Sequence, residues 1–576
     1  MPGPAATSTI FLVLRRLRTP LIVLITIFAI SVLGLTLVPG PPGADGVLQR
    51  LSFFHAVYFF SYTATTIGFG EIPYAFSEQQ RLWVTFSIYL SVVGWAYTLG
   101  TVFAMLQDKT FISAVAMQRF VRQVRRLREH FFLVCGYGET GRLLCKALDE
   151  MGYRAVVIEK DEAKVGELEL QSYSADMPAL CADAGDPETL LVAGLNSKYC
   201  RGVIALTNDD STNLAIAIAA RLLAPSLTAL CRAKHADTVA NMASFGTRHI
   251  INPFDKFGEY MALAIHSPSA YHLLLWLTGL PGTTVTRHRD PPSGKWVLCG
   301  YGSFGKVMTQ ALESAAMPVT IIDRAPPEDG TYTWIKGDGT GHAALAAAGI
   351  EDAAGIVAAT GSDVNNLSIV VTAHQMNPQL FTVLRQNQVA NRALFDAFES
   401  DFTMVPSEII AHECLAILTT PLLAPFLQAV RTSEEHWAEQ LLADLTSRFG
   451  WDVPSVWSVS FNLVQAPSVY RKMMRHEACP TLGELLRAPV TGRPQLHCRP
   501  LLLLREGNAP LVLPGEGEPL QLGDQLLFVG REEARKELNL TLFNSHTLDY
   551  VLTGKDAPGG TVWEWLARRR ATARTR

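Results

Sequence analysis

The sequence predicts a two-span α-helical membrane unit with a re-entrant helix between the spans. Two α/β Rossmann-like units and an α+β C-terminal lobe follow. Three observations carry that prediction. Two long runs near the N-terminus hold no charge, a glycine fingerprint behind an apolar strand occurs twice, and the stretch from about 454 to 552 is strand-rich. Composition agrees. Of 576 residues, 48% are hydrophobic and 18% charged, against about 25% charged in typical soluble domains. Such a chain is too apolar to be mainly disordered. Its formal net charge of −4 argues against a nucleic-acid partner. Nine cysteines without a C-x-x-C pair fit neither a disulfide framework nor a zinc site.

The uncharged runs are 21–38 and 82–107. Each approaches or exceeds the roughly 20 apolar residues that cross a hydrocarbon core. A secretory signal fits the first run less well, because its core is longer than the usual h-region of about 7–15 residues. Arg15, Arg16 and Arg18 precede the first run, and Lys109, Arg119, Arg122, Arg125, Arg126 and Arg128 follow the second. The positive-inside rule puts both flanks in the cytoplasm. Between the spans, 51–65 is apolar and aromatic but too short to cross, and it runs into Thr65-Thr66-Ile67-Gly68-Phe69-Gly70-Glu71. Irregular backbone survives at membrane depth only where it is buried or lines water. Gly68 and Gly70 can adopt angles that turn successive carbonyls toward one axis, and Thr66 adds a hydroxyl.

This segment, TTIGFGE, resembles the potassium-channel signature T-T-V-G-Y-G-D, with Ile, Phe and Glu as conservative replacements. With its flanking helices it resembles the two-transmembrane potassium-channel pore. The resemblance implies that Thr65, Thr66, Ile67, Gly68, Phe69, Gly70 and Glu71 form a selectivity filter for a permeant potassium ion. It also implies a homotetramer, since one chain carries one filter segment, in the cell (inner) membrane. Phe69 lacks the hydroxyl of the usual tyrosine. With Tyr58 and Phe59 at the expected cuff positions, the filter is expected to be held more by packing than by hydrogen bonds. Glu71 is read either as an outer carboxylate that concentrates cations or as a solvated loop acid. Gly94 and Gly100, inside the second span, are each read as a gating hinge or a close-packing position.

Residues 108–129 form an Arg-rich linker that meets anionic lipid or presents a solvated helix face. After it, an apolar strand at 131–135 runs into Gly136-x-Gly138-x-x-Gly141, with Glu139 and Thr140 inside the loop, and a second strand ends at Glu159. That is the dinucleotide-binding arrangement: a tight turn, close approach to pyrophosphate, and an acid for the ribose. The pattern recurs as Gly300-x-Gly302-Ser303-Phe304-Gly305 with Asp323, offset 164 residues at both the glycine and the acid. Further on, Asp183 parallels Asp338, and Thr207-Asn208 parallels Thr360-Gly361 at an offset of 153.

Two such units behind a potassium pore resemble RCK domains, also called TrkA-N domains, which regulate potassium conductance. The boundaries read from the sequence are a pore at 1–107, a linker at 108–129, a first domain at 130–294, a second at 295–450, a TrkA-C-like lobe at 451–553 and a tail at 554–576. The segment 254–280 reads as helix-turn-helix, a dimerising crossover in the family. Leu522-Gly523-Asp524-Gln525-Leu526 resembles the C-terminal-lobe motif P-x-x-G-D-x-L. The first copy would bind a nucleotide through Gly136, Gly138, Glu139, Thr140, Gly141, Glu159, Asp183, Thr207, Asn208 and Arg232. The second would use Gly300, Gly302, Ser303, Phe304, Gly305, Asp323, Asp338, Thr360 and Arg385. The two acids disfavour a 2′-phosphate, so NAD(H) or an adenine nucleotide is the expected ligand. Calcium is also known in the family, but around Asp209 and Asp210 no EF-hand-like spacing occurs.

The chain is therefore expected to be a ligand-gated potassium channel and not an enzyme. A membrane-anchored NAD-dependent oxidoreductase would need an acid or base beside the nicotinamide. No Ser-x-x-x-Lys pair follows either fingerprint, and His235, His249 and His374 show no evident partners in sequence. A weakly selective cation channel or a transporter subunit remains an alternative, through Phe69 and the altered cuff.

Overall fold

The structure, a computed structural model, describes residues 9–42, 47–279, 282, 284, 289–325, 332–475, 479–489 and 495–554. The expected tail from 555 onward and the side chains of Arg15, Arg16 and Lys109 lie outside the described residues. The chain forms two compact units, Met1–Leu127 and Arg128–Arg576.

In the first unit, α1 (Thr9–Leu37) and α3 (Glu78–Gln107) enclose the shorter α2 (Phe53–Ala64) in sequence, and α4 (Lys109–Arg126) follows. Two helical segments, Leu17–Leu37 and Glu78–Gln107, are long and apolar enough to cross a membrane. Local chemistry sets the helix starts. Ser52 caps α2 by accepting from the His55 amide, and Ser77 with Gln80 forms a reciprocal capping box on α3. Small residues let α1 and α3 approach. A Cβ on Gly34 would collide with the Trp83 ring, whose Nε1 donates to the Ser31 carbonyl at 3.0 Å. One on Gly94 would lie 2.7 Å from Ile27 Cδ1. Val32, Leu35, Phe59, Phe60, Tyr62 and Phe76 form the buried core around α2. Extended backbone at Asp108 (ψ 110°) separates α3 from α4, so the Arg-rich linker is mostly helix.

The second unit begins with a parallel sheet: β1 (Phe131–Cys135), β2 (Arg154–Glu159), β3 (Ala179–Cys181), β4 (Cys200–Ala205), β5 (Thr228–Arg232) and β6 (His249–Ile251). The strand order is 3-2-1-4-5-6. β1 is buried at every position, as expected of a parallel strand covered on both faces. A second sheet repeats the topology with β7 (Trp296–Cys299), β8 (Val319–Asp323), β9 (Thr333–Lys336), β10 (Gly355–Ala358), β11 (Phe381–Arg385) and β12 (Phe402–Met404). In this topology ligands bind where the order reverses, at the carboxyl ends of the strands.

The helices that follow each sheet cross to the other copy. The expected helix-turn-helix is Pro253–His266 and Pro268–Thr278. It buries Phe257, Met261, Leu274 and Trp276 in one core with Trp296, Leu298 and Phe381 of the second sheet. In return, helix Pro406–Thr419 places Ile410, Cys414 and Leu415 among Phe132, Val134, Leu144 and Leu148 of the first copy. That helix and the next, Leu423–Arg431, are together apolar enough to resemble a bent membrane span. Their burial in these cores accounts for the apolarity.

The C-terminal lobe is an antiparallel sheet of β13 (Ser455–Ser460), β14 (Cys498–Leu504), β15 (Leu511–Val512) and β16 (Gln525–Gly530), in the order 13-16-14-15. Gly523 takes a positive φ of 87°. The turn it makes sends Asp524 inside, where its carboxylate accepts Arg505 Nε at 2.9 Å and Nη2 at 3.0 Å, and the Gln521 amide at 2.8 Å.

Candidate functional site: a filter-like loop and two Rossmann clefts

The loop after α2 has alternating backbone hand. Thr66, Gly68 and Gly70 have φ of 62°, 65° and 88°, while Ile67 and Phe69 are not in the positive-φ region. Alternation of this kind turns successive carbonyls toward the same side, the arrangement by which backbone oxygens replace an ion's hydration shell. The two glycines take these angles freely. Thr66 does not, and an L-residue held there costs about 1–3 kcal/mol, strain that clusters at functional sites. The loop is pinned to the end of α2, because the Tyr62 carbonyl accepts the Ile67 amide at 2.9 Å.

The bracing of this loop differs from the sequence expectation. Tyr62, not Tyr58, reaches this loop: its hydroxyl donates to the Gly70 carbonyl at 2.5 Å, and its ring meets Phe69 edge-on at 5.4 Å. Phe59 packs on Tyr62 and Phe76 instead. Hydrogen bonding therefore contributes alongside the packing that was expected to dominate. Tyr62 stands one turn before the loop on the buried face of α2, a register that composition does not reveal. Glu71 is exposed but paired. It accepts Arg81 Nε at 2.9 Å and Nη2 at 3.0 Å, and the Phe76 amide at 2.8 Å. The loop's outer end is thus tied to the first turn of α3. The two glycines of α3 also part ways: Gly94 is a packing position against Ile27, while nothing lies within 4 Å of a Cβ on Gly100.

At the carboxyl ends of the first sheet lies a cleft of about 940 Å³. It brings together Gly136, Gly138, Glu139, Thr140, Glu159, Asp183, Thr207, Asn208 and Arg232. Gly136 has φ 103°, and nothing lies within 4 Å of a Cβ on Gly138, which leaves the helix start open to an anion. Gly141 is a packing residue, since a Cβ there would strike the Gly136 carbonyl. The Glu159 carboxylate already accepts the Tyr137 amide at 2.6 Å and the Asp161 amide at 2.9 Å. Asp183 accepts the Gly185 amide at 2.9 Å and Lys160 Nζ at 3.0 Å, and these two contacts, the amide foremost, hold its pKa below the ordinary value. Glu139, in the first turn of the helix Glu139–Glu150, accepts the Val389 amide of the second copy through its Oε1 at 3.1 Å.

Sequence reasoning overlooked the residue that organises this cleft. Asn213 is fully buried, accepts the Thr207 amide and hydroxyl, and donates to the Thr207 and Arg232 carbonyls. Asn366 repeats all four contacts with Thr360 and Arg385. The signal was present in the repeat, where these asparagines share the 153-residue offset. Lys160, Lys164 and Lys234 also line the cleft and were overlooked. His235 does have a partner, contrary to expectation: its Nδ1 lies 2.9 Å from Asp210 Oδ2. Asp209 caps the helix Asp210–Leu223. Hydrogen bonds from Thr212 and Ser211 pull its carboxyl down to about 2. No group of three or more His, Cys, Asp or Glu side chains suited to a metal occurs among the described residues.

The second cleft, about 380 Å³, gathers Gly300, Gly302, Asp323, Asp338, Thr360 and Arg385. Asp323 repeats the role of Glu159, accepting the Tyr301 and Ala325 amides. Contacts from Thr340, with Arg324 at 3.6 Å, keep Asp338 below its ordinary pKa. Three expected members lie elsewhere. Ser303 lines the first cleft. Phe304 is buried against Phe254 and Phe257 in the crossover core. Gly305 packs on the Gly300 carbonyl.

Comparison with known proteins gives the same division. Residues 21–108 match the ion-channel family, and residues 132–253 and 296–406 each match the TrkA-N domain. An uncharacterized protein of Methanothermus fervidus is 29% identical over 42% of this chain and 37% of its own length. The probable potassium channel protein 2 of Methanocaldococcus jannaschii is 23% identical over 40% of this chain and 66% of its own length. The chain thus spans less than two thirds of either relative. Among solved structures, the GsuK channel is 17% identical with a TM-score of 0.46, covering 95% of this chain and 100% of that one.

Proposed function

We propose that this membrane protein, which carries an ion-channel domain followed by two TrkA-N domains, is the subunit of a homotetrameric potassium-selective channel gated by a nucleotide. The observation that carries the reading is the alternating hand of Thr66, Gly68 and Gly70 in a loop between two spans. A ring of such carbonyls takes the place of water around a dehydrated cation, and a ring needs several chains, because each contributes one loop. The basic flanks support a location in the cell inner membrane with the N-terminus and the Rossmann unit cytoplasmic.

The regulatory half of the reading rests on the two clefts. Each offers an open helix start, a carboxylate at the end of the second strand and an arginine. These suit the phosphates and ribose of NAD(H) or an adenine nucleotide. Calcium gains no support among the described residues. A ligand gates only if it binds two states of the ring with different affinity. The test is single-channel recording from protein reconstituted in lipid bilayers, with NAD, NADH, ADP and ATP added in turn. Potassium selectivity that Gly70→Asp abolishes is expected. Selectivity unchanged by Gly70→Asp overturns the filter assignment, and an open probability indifferent to every nucleotide overturns the gating assignment.

A further inference from the structure

Helix α4 carries no acid between Lys109 and Arg126. Phe120 and Val124 on its inner face are buried. Ile112, Val115, Arg119, Arg122 and Arg126 are exposed, and steps of three or four residues keep all five on one stripe of the helix. The chemistry changes along that stripe. The half next to the second span is apolar, with 51% of Ile112 and 36% of Val115 open. The far half is basic, with exposed Arg125 beside Arg122 and Arg126. No ion pair holds any of these four arginines among the described residues. Only Asp108 separates Lys109 from Gln107, where the span ends. Its extended backbone keeps α4 from continuing α3 as one rod, and α4 touches α1 as well as α3. A rod would carry Arg126 about 28 Å past Gln107 at about 1.5 Å per residue. That lies beyond a headgroup layer roughly 5–8 Å deep and a screening length of about 8 Å. A helix turned along the bilayer keeps all four arginines at the headgroups.

We propose that α4 lies in the membrane interface at the end of the second span, with Ile112 and Val115 toward the acyl chains and Arg119, Arg122, Arg125 and Arg126 on the phosphates of anionic phospholipids. A bilayer interface offers apolar depth and negative charge side by side, which is the order of chemistry along the stripe. Guanidinium suits the task, because it donates two parallel hydrogen bonds to one phosphate and is weakly hydrated. Anionic lipid then holds the segment that joins the second span to the Rossmann unit. The inference needs the two spans but neither the filter nor the nucleotide reading, so it stands or falls apart from them.

The experiment is electron spin resonance of the full-length protein in phosphatidylcholine vesicles doped with spin-labelled phosphatidylglycerol or spin-labelled phosphatidylcholine. The parent is expected to hold phosphatidylglycerol about fivefold more strongly, the scale of one basic residue at an anionic surface, and added salt should erode the preference. Replacing the four together, as Arg119→Gln, Arg122→Gln, Arg125→Gln and Arg126→Gln, should bring the two lipids to parity with the melting temperature unchanged. The matching four lysine replacements should keep most of the preference, so the charge is tested even if the glutamine variant fails to fold. Equal retention of both lipids by the parent, a preference that salt leaves intact, or a preference that survives the glutamine replacements each overturns the inference. So does a parent without lipid preference whose melting temperature alone falls with salt, since the arginines then pair with a protein surface.

Discussion

Tyr62→Phe isolates the hydroxyl that braces the proposed filter. The ring remains, and with it the edge contacts to Phe59 at 5.3 Å and Phe69 at 5.4 Å. Only the bond to the Gly70 carbonyl is lost. One neutral hydrogen bond contributes about 0.5–1.5 kcal/mol net. In the proposed homotetramer, four subunits sharing one conducting filter would give about 2–6 kcal/mol. With a factor of ten for each 1.4 kcal/mol, the ratio of conducting to collapsed filters should fall at least roughly 30-fold. Single-channel recording at low external potassium reads this as shortened bursts with unchanged unitary current. Tyr58→Phe, at the position the sequence favours for the cuff, serves as control and should leave bursts unaltered. Tyr62→Phe channels that assemble normally yet keep parental burst lengths would refute the bracing argument.

Four further outcomes follow from packing and hydrogen bonding. Gly94→Val should destabilise the pairing of the spans by about 1–3 kcal/mol through its clash with Ile27, seen as a lower melting temperature of the detergent-solubilised protein. Gly100→Ala should cause no such loss, so a lowered open probability with unchanged melting would assign Gly100 the hinge. Asp524→Ala removes the buried partner of Arg505, which keeps Glu518 and the Pro519 carbonyl, and should cost about 1.5–3 kcal/mol, measured as earlier unfolding of the C-terminal lobe by hydrogen exchange. Asp209 has its carboxyl pulled from 3.8 to about 2 by hydrogen bonds from Thr212 and Ser211. A lowered folded value adds stability that is complete above pH 3.8 and lost as pH falls through about 2. Asp209→Asn should therefore differ from the parent by a constant amount above that window, and the difference should shrink on acidification. A difference that grows instead would reverse the assignment.

Much of the architecture was legible because its signals are local. Charge-free runs, the glycine fingerprints and the 153- and 164-residue offsets each depend on a few neighbouring residues. They placed β1, β7, the end of β2 at Glu159 and the loop at Thr65–Glu71 without reference to anything distant. The errors arose where a side chain could have faced two ways. Tyr58 and Tyr62 are both aromatic and one turn apart, and only the seating of α2 decides which meets Gly70. Ser303 and Phe304 sit in a fingerprint, yet packing of the two copies turns Ser303 to the first cleft and Phe304 into a core.

The sequence by itself determined that two apolar spans flank a glycine-turned loop and that two Rossmann units follow, since spacing and backbone preference are properties of short segments. Only the tertiary structure decided that the units exchange helices, that Glu71 is tied to Arg81, and that Arg385 faces the first cleft. Those facts depend on which apolar surfaces meet. The apolar faces of Pro253–His266 and Pro406–Thr419 are equally hydrophobic on either sheet as far as pattern can tell, and shape against a particular partner selects the one they cover.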